Sequence, residues 1–226
     1  CDIEVEEISG TSIGAIMGTI YASNPDVDFD TLLDGINLTK FLGLILNLNN
    51  NKAIKKIEDL FAQYINVSKF SDLKIPMSFN ATDISNGEEI VFRKGDIFPG
   101  LFASMAIPFV FPLVEIDGRY LCDGGVVNNL PLSLIKKNRK NMVASLLGAQ
   151  LPGIKNMKDR ISVLSNAYYI MEKNNTEKSI NIARQEKDVD LKIVRLNKFM
   201  STFDFRRSNI KSLMDIGYKE AMKILK

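Results

Sequence analysis

Histidine is missing from this 226-residue chain altogether. With no imidazole, a Ser-His-Asp relay is impossible, and any nucleophilic serine must give its proton to another group. Histidine-ligated metal sites are excluded by the same absence. Cysteine is nearly as scarce, with Cys1 and Cys122 the two present. One pair makes no disulfide framework, points to a reducing compartment and argues against zinc, so no metal and no cofactor are expected. No apolar run approaches the ~20 residues of a membrane span, and no signal peptide is visible. Charge of one sign is lacking too: 29 Lys and Arg against 27 Asp and Glu leave +2, too even a balance to draw nucleic acid. What remains is an ordinary globular composition, 46% hydrophobic and 25% charged, without repeats, linkers or low-complexity segments. Its length suits a single domain, 1–226, with a substantial core.

The most informative stretch lies near the start. Ile3, Val5 and Ile8 give a short strand signal, Gly10-Thr11-Ser12-Ile13-Gly14 follows, and residues 15–22 read as a small-residue helix. A strand entering G-x-S-x-G and leaving as a helix is the context of a nucleophile elbow, which pushes the Ser12 hydroxyl out beyond the strand. The turn is expected to need Gly10 and Gly14 because a Cβ at either would collide with neighbouring backbone. The helix start aims amide N–H groups at any oxyanion, with the backbone amide of Ile13 the natural first donor. The alternative is a glycine-rich turn serving close packing alone.

Further along, residues 29–36 and 53–65 carry helical spacing, and residues 77–84 alternate as a strand. Ser85-Asn86-Gly87 and Asp117-Gly118 signal two hairpins, 97–105 a helix between them, and Asp123-Gly124-Gly125 ends the second hairpin abruptly. Residues 142–147 and 191–196 read as strands, 158–184 and 207–226 as helices, and 199–205 as a loop. Strands alternating with helices predict an α/β fold, a mostly parallel central sheet with helices on both faces. Asp123 stands at a strand end, where α/β sites are built, and two glycines there let another backbone come close. It is placed either to accept the Ser12 proton in a two-member Ser–Asp arrangement or to cap its own turn. The apolar run 41–48 is a buried element or a lipid-touching lid, and the basic run 136–140 a headgroup contact or a solvated helix end.

Three motifs then share one order and spacing. Gly10-Thr11-Ser12-Ile13-Gly14-Ala15, Ala103-Ser104-Met105-Ala106-Ile107-Pro108-Phe109-Val110-Phe111-Pro112 and Asp123-Gly124-Gly125-Val126-Val127-Asn128-Asn129-Leu130-Pro131 resemble those of patatin-like phospholipases. Thr202-Phe203-Asp204-Phe205 and the helix through Gly217-Tyr218 are similar to the ending of bacterial members. The resemblance implies a three-layer α/β/α fold and lipid acyl hydrolysis of the phospholipase A or lysophospholipase type. Ser12 is its implied nucleophile and Asp123 its general base, a dyad that tolerates the missing histidine. Phe41, Leu44, Phe109 and Phe111 are candidate acyl-chain contacts. The expected partners are a lipid or acyl ester and a membrane surface touched peripherally from the cytoplasm.

The chain departs from the family before Ser12. Patatin-like proteins carry a glycine-rich loop after a first strand, which supplies most oxyanion donors; neither precedes the elbow here, so an incomplete record is expected. Losing even one such donor can cost ~10²–10³ in rate. The competing reading is a non-catalytic lipid-binding or regulatory module that keeps the fold.

Overall fold

A computed structural model describes residues 3–35, 51–136, 140–147, 159–196 and 207–225. The apolar run 41–48, the loop 199–205 and most of the basic run 136–140 lie outside them. The described chain forms two compact units, one of residues 5–137 and one of residues 1–4 with 138–226. It is a mixed α/β protein. Among the described residues no helix is long and apolar enough to cross a membrane.

The first unit is built on β2 (Met77–Asp83), every residue of which is buried. Along one edge runs β3 (Glu88–Phe92), antiparallel, from Asp83↔Glu88 to Phe79↔Phe92. The other edge is shared by two strands. β1 (Ile8–Gly10) pairs in parallel from Ile8↔Met77 to Gly10↔Phe79. β5 (Arg119–Asp123) comes antiparallel from the opposite direction, Leu121↔Asp83 to Asp123↔Ala81. Because Phe79 and Ala81 each also pair with β3, and a strand has two edges, β1 and β5 must lie end to end. They head toward each other and both stop short of Asn80. β4 (Val114–Ile116) completes the five strands by pairing with β5.

The sheet is thus mixed. The expected parallel pairing holds for β1–β2, while the two hairpins contribute the antiparallel strands. Asp117 and Gly118, both at positive φ (52° and 74°), make the β4–β5 connection a two-residue turn whose twist suits the strands. The first strand is shorter than its apolar pattern, beginning only at Ile8. The Ile8 amide bonds the carbonyl of Pro76, and proline has no N–H with which to continue the ladder.

Helices α1 (Ile13–Ser23), α2 (Phe29–Gly35), α3 (Asn51–Phe61), α4 (Ile97–Ser104) and α5 (Gly125–Asn128) belong to this unit. Side chains alternate across a strand, so Met77, Phe79 and Ala81 share one face of β2 and Ser78, Asn80 and Thr82 the other. Helices α1 and α4 cover the first face, with Ile16, Ile20, Leu101 and Phe102 in one core with Met77 and Phe79. Small residues let them close in: a Cβ on Gly100 would stand 2.6 Å from the Phe92 ring. Burying Phe79 completely contributes roughly 2–3 kcal/mol. The short α5 lies on the polar face, where its Asn128 carbonyl meets Asn80. Helices therefore sit on both faces of β2.

In the second unit β6 (Asn141–Leu147) and β7 (Asp190–Leu196) pair in parallel over seven residues. The crossover is α6 (Arg160–Gln185), and α7 (Arg207–Ile224) follows β7. Among its described residues, Met142, Ala144, Ile180, Ala183, Val194, Leu196 and Leu213 are the buried apolar ones.

Candidate active site

Two chain ends that collide on one edge of a strand must both leave the sheet. Gly10 and Asp123 occupy register positions two residues apart on β2, about 7 Å at ~3.3 Å per residue. The chain departs past Gly10 into the Thr11-Ser12 turn and past Asp123 into Gly124-Gly125. That sets the turn carrying Ser12 and the strand end carrying Asp123 at neighbouring places on one edge of β2, from positions more than a hundred residues apart.

Ser12 takes φ 56° and ψ −122°, a conformation rare for a non-glycine residue and worth about 1–3 kcal/mol of strain. A serine before a helix ordinarily caps its amides in extended geometry. Ser12 makes no such bond, and α1 is anchored instead by backbone bonds from Gly14 to Thr11 (2.8 Å) and from Ala15 to Ser12 (2.9 Å). The hydroxyl is therefore not committed to a helix amide. Among the described residues no hydrogen bond engages the Ile13 amide, one of the four helix N–H groups without an intrahelical partner.

The glycines divide. A Cβ on Gly10 would lie 2.4 Å from the Gly14 carbonyl oxygen, 2.5 Å from its carbon and 2.8 Å from the Ala15 nitrogen. Gly14 itself corrects the expectation: a Cβ there meets nothing within 4 Å. The crowding is between the bare Gly10 and the backbone of Gly14, so one missing side chain resolves it. Gly124 is needed for a contact invisible in the motif, its Cβ position being 2.4 Å from Asn80 Oδ1. Gly125 is buried and donates its amide to Asp123 Oδ1 at 2.7 Å.

Asp123 is 1% exposed. As the register partner of Ala81 its side chain shares the face covered by α1 and α4. Its amide donates to the Ala106 carbonyl (2.9 Å), and its own carbonyl accepts from Thr82 Oγ1 (3.0 Å). The neighbouring Cys122 is fully buried, and burial, with the charges of Asp123 and Asp83, pushes its thiol up to about 12.

On the opposite face a partly buried polar network ties the two turns together. Thr11 Oγ1 stands 2.8 Å from Asn80 Oδ1 and 3.0 Å from the Asn128 carbonyl. Asn80 Nδ2 donates to Glu89 Oε1 (2.8 Å) and to that same carbonyl (3.0 Å), and Asn128 Nδ2 also donates to Glu89 Oε1 (2.8 Å). Sequence reasoning did not single out Asn80, Glu89 or Thr11. The one available signal was a polar residue midway along an apolar alternation, which reads equally as a solvated face.

Of the candidate acyl contacts, Phe41 and Leu44 lie outside the described residues. Phe111 is half-buried against the core. Phe109 is 77% exposed and held at φ 68°, three residues beyond Ala106. At the basic run, the Lys136 amide donates to Glu7 Oε2.

Comparison with known proteins places this arrangement in context. The sequence profile described as patatin-like phospholipase matches residues 1–135. An "Uncharacterized NTE family protein" of Mycobacterium tuberculosis is 29% identical over 135 residues, covering 58% of this chain and 38% of that one. "Patatin-like phospholipase domain-containing protein 6" of Homo sapiens is 28% identical over 171 residues, 66% of this chain and 12% of that one. The chain thus spans well under half the length of these relatives. The crystal structure of VipD from Legionella pneumophila is similar over 97% of this chain and 61% of that one, at 16% identity and a TM-score of 0.48.

Proposed function

Because the chain belongs to the patatin-like phospholipase family, we propose that its site hydrolyses fatty acyl esters of lipids, with Ser12 as nucleophile and Asp123 as general base. The observation that carries this reading is the head-to-head ending of β1 and β5 on one edge of β2. In the first half-reaction Asp123 takes the proton of Ser12 as Oγ bonds to the ester carbonyl carbon. The tetrahedral oxyanion draws on the Ile13 amide and the positive end of α1. Collapse breaks the ester C–O bond, the alcohol leaves with the proton held by Asp123, and an acyl-serine remains. Water then gives a proton to Asp123 and its oxygen to the acyl carbon. The fatty acid departs as Ser12 recovers its proton. No metal or cofactor enters either half.

Ser12→Ala and Asp123→Asn in the full-length protein should each abolish acyl-ester hydrolysis while circular dichroism stays unchanged, and EDTA should leave the wild-type rate as it is. Full activity in Asp123→Asn removes the dyad from consideration.

The same proposal extends to the setting of the substrate. Phe109, 77% exposed three residues beyond Ala106, is the candidate contact of a cytoplasmic enzyme that works peripherally at a membrane surface. Phe109→Ser should reduce sedimentation with phosphatidylcholine vesicles several-fold and spare hydrolysis of a soluble short-chain ester. Undiminished vesicle binding refutes that role.

A further inference from the structure

The peptide that carries the nucleophile is held from outside the elbow. Bonds within the turn fix Gly14, Ala15 and Ile16, and Thr11 is tied to Asn80, but none of these grips the Ser12 amide. That N–H donates to Ser104 Oγ at 3.0 Å. Ser104 is fully buried at the end of α4, a helix anchored in the core by Leu101 and Phe102. Two residues on, the Ala106 carbonyl accepts the Asp123 amide at 2.9 Å. Residues 104 and 106 are separated by at most about 7 Å of chain. A single turn at the end of α4 therefore grips the backbone on both sides of the collision point.

We propose that Ser104 is the positioning residue of the Ser12–Asp123 pair, its hydroxyl oxygen holding the Thr11–Ser12 peptide in the strained orientation that frees the Ser12 side chain. The proposal rests on the reading of Ser12 as nucleophile and deepens it. Ser104 acts through the backbone of Ser12, not on the reacting atoms. Without that acceptor the peptide is free to rotate toward the extended geometry of an ordinary N-cap. There the Ser12 hydroxyl satisfies a helix amide instead of attacking.

The test uses a fluorophosphonate probe on the full-length protein, resolving the maximal labelling rate kinact from the half-saturating concentration KI. Ser104→Ala should lower kinact by about 10–100-fold, the scale of a small misplacement, and leave KI unchanged. Ser104→Thr, which keeps the oxygen, should restore most of the rate, and Ser104→Cys, a weak acceptor of similar size, should fall between. If Ser104→Ala does not fold, the order of the serine, threonine and cysteine forms still decides. Equal kinact across the series, or a loss confined to KI, overturns the proposal while leaving Ser12 as nucleophile. Absence of labelling in the wild type overturns the nucleophile reading itself and this proposal with it.

Discussion

The two glycines of the G-x-S-x-G turn, interchangeable in the motif, should respond to substitution in opposite ways. In Gly10→Ala the new methyl would sit 2.4–2.8 Å from three backbone atoms of Gly14 and Ala15. Comfortable contact begins near 3.5 Å, so the elbow must open by about 1 Å, and no side-chain rotation can relieve it. Overpacking of this kind costs ~1–3 kcal/mol, and backbone on all sides places this case near the top of the range. For a protein of this size ~3 kcal/mol lowers the unfolding midpoint by roughly 6–12 °C. A 1 Å shift of the nucleophile is also worth ~10²-fold in rate. Gly14→Ala meets nothing within 4 Å, and replacing glycine by alanine in a helix gains up to ~1 kcal/mol. Its midpoint should hold or rise by roughly 2–4 °C. Thermal unfolding by circular dichroism and fluorophosphonate labelling of both variants make the comparison. Equal destabilisation of the two, or wild-type labelling and midpoint in Gly10→Ala, refutes the steric account of the elbow.

Two other consequences concern titratable groups. Cys122, buried and with its thiol pushed up to about 12, should resist iodoacetamide at about pH 8 in the native protein and react fully once unfolded, as mass spectrometry would show; native alkylation at the unfolded rate contradicts the burial. In the second unit the hydrogen bond from Arg195 (2.8 Å), with further help from its charge, holds Glu177 below the ordinary glutamate range. A carboxylate with a lowered folded pKa stabilises above its unfolded pKa and loses that contribution as pH falls through the folded one. Both partners are more than a third exposed, so the effect should be under ~1 kcal/mol. Glu177→Gln should lower the midpoint slightly at about pH 6, and the difference should shrink as the pH falls through the lowered folded value; a difference that stays constant with pH assigns it to packing.

Local chemistry made much of this protein legible from its sequence. Alternating apolar residues marked β2, Asp117-Gly118 marked a two-residue turn, and Gly10 before Ser12 marked the strand-to-helix elbow, because each depends on neighbours within a few positions. The absent histidine already required another base. The strand beginning at Ile3 came out as Ile8–Gly10 since its length is set by a partner that starts after Pro76. The clash expected at both motif glycines belongs to Gly10 alone, as the motif does not say which Cβ points inward.

Register lay beyond the sequence. That β1 and β5 share one edge of β2 and end on either side of Asn80 depends on pairings between residues some seventy and forty positions apart. Only the folded sheet makes those choices. It likewise decided that Ser78, Asn80 and Thr82, the polar residues of that alternating strand, are buried, with Asn80 in a polar network shared with Thr11, Glu89 and Asn128. The sequence determined which side chains could do chemistry. The tertiary structure determined that the turn carrying Ser12 and the strand end carrying Asp123 meet on one edge of β2, because a strand edge has room for one neighbour at each position and two chains arriving there must both turn aside.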